Sequence, residues 1–365
     1  MRPDLAWPLN VPVLTDGVVT LRAHTPADVD RIIEVCDDPE MIRWTPISRR
    51  YRRADAESYA LAAVPRGWDS GVSKVWAIEH HREFVGQVQV GGAGPIADLG
   101  FSLHPDARGR GLMRRAVTLA LDHAFATGTE VIRGTCAAGN LASLHVLHAC
   151  GFSLDAAVPD RLSVREEIHD AWLCSIRAGD SRDRKTIWRA TTFETERFRL
   201  RPLAEHDDPR IAQTLDDPVS RRYLVERPPP QTHADAARER LRKWWTAALG
   251  ETCTWAVVDD DDCYLADITL LGIDDVVGAE VGFCTHPDAR GSGVLSEALG
   301  AVVRHAFDDF GLRRLTLFAA ESNTGSVTLA EKAGFRHFGT QELAARSERI
   351  FENLVGFELL ADPLR

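Results

Sequence analysis

The sequence predicts an α/β fold, an α+β sandwich built twice: two tandem domains, each a twisted mixed sheet flanked by helices. Three observations carry that expectation. The stretch Leu103-His104-Pro105-Asp106-Ala107-Arg108-Gly109-Arg110-Gly111-Leu112 recurs as Thr285-His286-Pro287-Asp288-Ala289-Arg290-Gly291-Ser292-Gly293-Val294. Around both copies, strand-like apolar runs and amphipathic helical runs follow one another in the same order. At 365 residues the chain is also too long for one ordinary core, and its repeat is too long for a solenoid.

Each half opens with a strand (18–22; 198–201) carrying Leu21-Arg22 or Leu200-Arg201, 179 residues apart. Helical segments follow around Asp37-Asp38-Pro39 and Asp216-Asp217-Pro218, where aspartate can cap and proline can start a helix. Two strands with alternating or continuous apolar residues come next, at 75–79 and 84–90 and again at 254–259 and 264–271. A strand then enters each glycine turn (98–103; 280–285), and a helix leaves it. Val117, Ala120, Leu121, Ala124 and Phe125 share one face of the first helix; Leu295, Ala298, Leu299, Val302, Val303 and Ala306 share one face of the second. A strand (131–136; 314–319), a helix running from Asn140 or Asn323 to a Gly-Phe pair, and closing strands complete each unit. The offset reaches 182 at Arg108/Arg290 and 183 at Asn140/Asn323, as short loop insertions within one topology require. The polar run at 178–185 places domains at 1–178 and 192–365, with a linker at 179–191.

Composition narrows the function classes. With 44% hydrophobic and 27% charged residues the chain is globular, and its net charge of −11 argues against a general nucleic-acid binder. No apolar run approaches the roughly 18 residues of a membrane span, and Met1-Arg2-Pro3-Asp4 shows no signal pattern. Seven scattered cysteines, without a CxxC pair or metal-like spacing, fit reduced thiols in a cytoplasm. His145 and His148 lie three apart but lack a third ligand, so no metal is expected. The run 259–262 reads as a solvated hairpin turn, and Trp244-Trp245 as packing residues.

A glycine-rich turn between a strand and a helix start builds a pocket of backbone N–H groups for phosphate oxygens, at the positive end of the helix dipole. Gly109, Gly111, Gly291 and Gly293 allow the backbone this approach. Arg108, Arg110, Arg114 and Arg115 add cations to the first loop, whereas the second shows only Arg290 nearby, with Ser292 in place of Arg110. On electrostatics alone the first loop should hold the phosphorylated ligand more tightly.

The ordered set of opening Leu-Arg, Arg-x-x-Gly-x, helix, Asn-x-x-Ser (Asn140 to Ser143; Asn323 to Ser326) and Gly-Phe (151–152; 334–335), present twice, resembles the GNAT superfamily of acyl-CoA-dependent N-acyltransferases. The nearest branch is the RimJ/RimL type, which acetylates ribosomal-protein N-termini. The resemblance covers nearly the whole chain apart from the linker and the termini. Met113 and Leu295 replace the final small residue of the superfamily's phosphate motif.

The resemblance implies acetyl-CoA as acyl donor, with no metal. It would be held by Leu103, Arg108, Gly109, Arg110, Gly111, Leu112, Met113 and Asn140 in the first half. Thr285, Arg290, Gly291, Ser292, Gly293, Val294, Leu295 and Asn323 would hold it in the second. It further implies Glu280 and Asp98 as bases acting through water, and backbone N–H donors to the thioester carbonyl at 102–103 and 284–285. Ser143 and Ser326 are the implied donors to the departing thiolate. Transfer would be direct, in a ternary complex, so Cys284 need not be a nucleophile. The acceptor is an amine, on a small molecule or a protein N-terminus, with neither nucleic acid nor membrane as partner. The alternative is that one or both halves serve as a non-catalytic acyl-CoA-binding scaffold or regulator.

Overall fold

The computed structural model describes residues 11–92, 94–165, 167–185, 190–224, 232–274, 276–347 and 350–362. It divides into two compact units, Met1–Lys185 and Thr186–Arg365. Residues 186–189 of the expected linker lie outside the described residues.

Unit 1 runs β1 (Leu14–Thr15), β2 (Thr20–Arg22), α1 (Val29–Asp37), α2 (Pro39–Trp44), α3 (Arg53–Ser58), α4 (Val64–Ser70), β3 (Ser73–His80), β4 (Glu83–Gly91), β5 (Ile96–Leu103), α5 (Leu112–Ala126), β6 (Val131–Ala137), α6 (Leu141–Ala149), β7 (Ser153–Val164) and β8 (Glu167–Arg177). Unit 2 runs β9 (Phe193–Glu194), β10 (Arg199–Pro202), α7 (Asp208–Asp216), α8 (Pro218–Tyr223), α9 (His233–Ala248), β11 (Thr252–Val258), β12 (Tyr264–Asp274), β13 (Gly278–Thr285), α10 (Val294–Asp308), β14 (Arg314–Ala320), α11 (Thr324–Lys332), β15 (Arg336–Ser347) and β16 (Ile350–Leu360). Each sheet has eight strands, in the order β1-β2-β3-β4-β5-β6-β8-β7 and its counterpart β9-β10-β11-β12-β13-β14-β16-β15. One parallel pair, β5 with β6 or β13 with β14, makes each otherwise antiparallel sheet mixed. Both units are therefore the sandwich that the repeat predicts.

Period-two alternation explains why helices cover both faces. On β11, Trp255 and Val257 enter the core beneath α10 and α11, whereas Ala256 and Val258 enter a second cluster with Ile211, Leu215 and Ala236 of α7 and α9. The strand is buried throughout, which is why it reads as a continuous apolar run. The Asp-Asp-Pro signals work as capping chemistry requires. Asp38 accepts from the Met41 amide and Asp217 from the Ser220 amide, each opening a helix with proline in its first turn.

The halves part company before the central strands. Unit 2 has one 16-residue helix, α9, where unit 1 has α3 and α4 joined by a π turn at Tyr59–Ala63. Pro65, near the start of α4, has no amide to give the carbonyl four residues back. The ladder widens there, and the Val64 amide reaches the Tyr59 carbonyl.

Candidate functional site

The two glycine turns open α5 and α10. Gly111 and Gly293 are the N-cap residues, with φ of 73° and 84°, a left-handed conformation that costs other residues strain. A Cβ added at Gly109, Gly111 or Gly291 would meet nothing within 4 Å, so the space above the loop is open to a ligand. The positive end of a 15-residue helix dipole lies there. In the second loop the amides of Arg290, Ser292 and Val294 already donate to the Pro287 carbonyl, the Ala289 carbonyl and Ser292 Oγ (3.3, 3.3 and 3.4 Å).

The arginines behave less simply than their positions suggest. Arg108 donates to Asp38 Oδ2 (2.5 Å) and to the Leu103 carbonyl (3.2 Å), and Arg290 donates to Asp217 (2.5 Å) and Ser220 Oγ (2.9 Å). Burial raises both aspartates, but the arginine and the capped amide outweigh it, and both titrate below the ordinary range. Each arginine thus ties its loop to the cap of α2 or α8. Arg110 donates to Nε2 of His80 (3.0 Å), whose Nδ1–H is engaged by the Val18 carbonyl.

The expectation that only Arg290 supplies charge near the second loop is corrected. Arg197, in the β9–β10 turn, donates to the Ser292 carbonyl (3.2 Å) and pairs with Glu297 in the first turn of α10 (2.8 Å). A Cβ on Gly293 would lie 3.2 Å from its guanidinium. The pair has a reversed counterpart in unit 1, where Arg115 of α5 donates to Asp16 of the β1–β2 turn (2.7 Å). Arg197 could have been found only by matching that turn with the helix 100 residues later.

Beside each loop the sheet opens. β5 stays paired with β4 to Leu103 but with β6 only as far as Leu99. β13 stays paired with β12 to Thr285 but with β14 only as far as Glu280. Among the described residues, Gly100–Leu103 and Val281–Thr285 therefore have no paired strand on the side of β6 or β14. The segments 102–103 and 284–285, expected to donate to a thioester carbonyl, lie in these open stretches. At the far side of the opening Asn140 and Asn323 cap α6 and α11, each Oδ1 accepting from Ser143 N or Ser326 N (3.1 and 3.2 Å). The cap uses the carbonyl oxygen and leaves the amide Nδ2 pointing elsewhere.

The two candidate bases differ in surroundings. Glu280 is half-buried, has no hydrogen-bond or ion-pair partner among the described residues, and is raised above the ordinary glutamate value by burial. Asp98 has a side chain 63% exposed and forms a bidentate pair with Arg133 (3.0 Å to each oxygen).

In unit 2 a cleft of about 220 Å³ lies between the sheet and the helices α7 and α9. Its walls include Leu215, Leu224, Lys243, Asp267 and Phe283, with Gly282 leaving the floor clear. The same face of unit 1 carries neutral polar groups: Gln87 accepts from Tyr59 O–H (3.0 Å) and Gln89 donates to Ser73 (3.0 Å). Of the residues set aside in the sequence, His148 is buried, and no cluster of potential metal ligands exists among the described residues. Asp262, in the acidic run, is not simply solvated: Arg201 and Arg199 pair with it (2.7 and 2.6 Å) and hold its carboxyl at about 2.

The family model described as an acetyltransferase (GNAT) domain matches twice, at residues 19–153 and 197–336. A protein of Bacillus subtilis (strain 168) named "Putative ribosomal N-acetyltransferase YdaF" is 25% identical over 173 residues, spanning 45% of this chain and 92% of its own. Among solved structures, a RimL ribosomal L7/L12 alpha-N-protein acetyltransferase in complex with coenzyme A covers 46% of this chain and 98% of its own, at 15% identity and TM-score 0.42. A GNAT-family acetyltransferase from Bacillus anthracis covers 47% and 98%, at 18% identity and TM-score 0.42. With the family's domain matched over both units, the chain belongs to the GNAT acetyltransferases and is an acyl-CoA-dependent N-acetyltransferase carrying that domain in tandem.

Proposed function

We propose that unit 2 transfers an acetyl group from acetyl-CoA to a primary amine by direct attack within a ternary complex. The observation that carries this reading is the arrangement along β13. Glu280, half-buried and with no side-chain partner among the described residues, stands four residues before Cys284, in a strand whose flank is open beside a glycine-capped helix. The pyrophosphate rests on the loop amides of Gly291, Gly293 and Leu295, with Arg197 as a cation, and Asn323 meets the pantetheine arm through Nδ2. The acceptor enters from the cleft and loses a proton to Glu280 through water. The neutral amine attacks the thioester carbon, and the carbonyl oxygen gains a backbone N–H from the open strand as it becomes an oxyanion. The C–S bond breaks, and Ser326 is placed as proton donor to the thiolate. The relatives with ribosomal-protein names support a protein N-terminus as one acceptor class, beside small amines.

Unit 1 has the same loop and opening, and acetyl-CoA binding is proposed for it as well, through residues 108–113, Leu103 and Asn140. Asp98 is fixed by Arg133 at the surface. This favours a second reading for that unit, an acyl-CoA-binding scaffold in which Asp98 and Ser143 do no chemistry. Calorimetric titration of acetyl-CoA into the wild type, Gly109→Glu and Gly291→Glu tests both. Two sites, each lost with its own variant, are expected; no binding by the wild type overturns the transferase reading.

A further inference from the structure

The cleft of unit 2 already contains a primary amine. Lys243, on α9, lines it, and its Nζ lies 2.8 Å from Asp267 Oδ1. Asp267 on β12 is the cross-strand partner of Cys284, so the two side chains stand on one face of the sheet. Cys284 lies in the open stretch of β13, beyond Gly282, and about 13 Å along the strand from Glu280. The amine therefore sits on the acceptor side of the strand segment assigned to the thioester. Its side chain is only 13% exposed and that of Asp267 only 8%, so this is no surface lysine. The other oxygen of Asp267 accepts from Tyr264 O–H (2.8 Å), so both carboxylate oxygens are engaged. Among the described residues of unit 1 this pair has no counterpart. The residue 179 before Lys243 is Val64, and Gln87 takes the place of Asp267, opposite Ala77 and Ser102 as Asp267 is opposite Ala256 and Cys284.

Resting on the transferase reading above, we infer that Lys243 is itself an acetyl acceptor: unit 2 acetylates its own cleft. The ammonium of Lys243 gives up one proton to solvent by way of Glu280. The lone pair of Nζ forms a bond to the acetyl carbon, the C–S bond breaks, and its electron pair leaves with sulfur. The nitrogen loses its second proton and the thiolate gains one. The products are an acetamide on Lys243, free CoA thiol and one proton released. Asp267 then loses its cation but keeps the Tyr264 hydrogen bond. The acetylated side chain, longer and uncharged, extends among Leu215, Leu224 and Phe283, where an outside amine would enter. Acetylation of Lys243 thus closes unit 2 to its acceptor.

The test uses the full chain mixed with acetyl-CoA, with calorimetric binding measured in parallel, and peptide mapping by mass spectrometry over time. One acetyl group is expected on Lys243, at a rate per molecule unchanged by tenfold dilution. The same site should slow by about 100-fold or more in Glu280→Gln, as loss of a general base requires. In Lys243→Arg, which keeps the positive charge beside Asp267, this acetylation disappears while acetyl-CoA still binds. Binding without modification of Lys243 overturns the inference and leaves the transferase reading standing. So does modification that follows protein concentration or ignores Glu280→Gln. Failure to bind acetyl-CoA overturns both.

Discussion

Glu280 and Asp98 occupy the same place in the two repeats, and what separates them is their company. Both oxygens of Asp98 are occupied by Arg133, whereas the half-buried Glu280, whose side chain has no partner among the described residues, has its charged form disfavoured by burial. Replacing Glu280 with glutamine is expected to lower turnover by unit 2 about 10²–10⁴-fold with little change in acetyl-CoA affinity, measured by steady-state kinetics and calorimetry. The sign of the pH dependence follows from the raised pKa. The base is active only when ionised, so kcat/KM rises with pH, and its acid limb lies above the ordinary glutamate value of 4.5. A limb at or below that value contradicts the assignment. Arg197 gives a second expectation. Arg197→Ala should weaken acetyl-CoA binding by unit 2 about tenfold, less than an unshared cation would, because Glu297 already claims part of its charge. The sequence displayed Glu280 because it stands at a fixed distance from a conspicuous loop. It concealed Arg197, whose link to that loop is a tertiary contact with no local signature.

At the level of single elements, the helix starts are where conformational strain and ligand binding meet. Gly111 and Gly293 hold φ values that alanine adopts at a cost of about 1–2 kcal/mol, and at Gly111 no neighbour obstructs the added methyl. Gly111→Ala should therefore destabilise unit 1 by about that much in urea unfolding, a loss from backbone strain and not from collision. Most strands and the helices α5 and α10 were legible because their apolar periods match their burial, as on β11, and α2 and α8 because caps announce them, as Asp38 and Asp217 do; the 16-residue α9 was not. The region before β3 was not. Its helices are short, and a proline that widens a helix looks in sequence like one that ends it. The short strands β1 and β9 escaped notice for a related reason: two residues show no period.

Across the whole molecule, two copies of one domain have kept the glycine turn and its helix start alike and let the faces beneath the early helices diverge. Charge lines the cleft of unit 2, and amides and hydroxyls line the matching face of unit 1. Duplication also creates a hazard, since pieces of similar shape in one chain can assemble with the wrong half as it folds. The reversed ion pairs bear on that hazard. The opening turn of unit 1 offers an anion to a cationic helix, and that of unit 2 offers a cation to an anionic one. An exchanged opening strand would set Arg197 against Arg115, or Asp16 against Glu297, and like charges at such contacts repel. Giving unit 2 the polarity of unit 1 (Arg197→Asp with Glu297→Arg) preserves a pair in each correct unit but removes the distinction. The yield of native protein on dilution from urea is expected to fall, although the stability of what does refold stays close to wild type. The polarity of these two pairs is thus opposite in the two halves, and each opening turn meets an unlike charge only on its own helix.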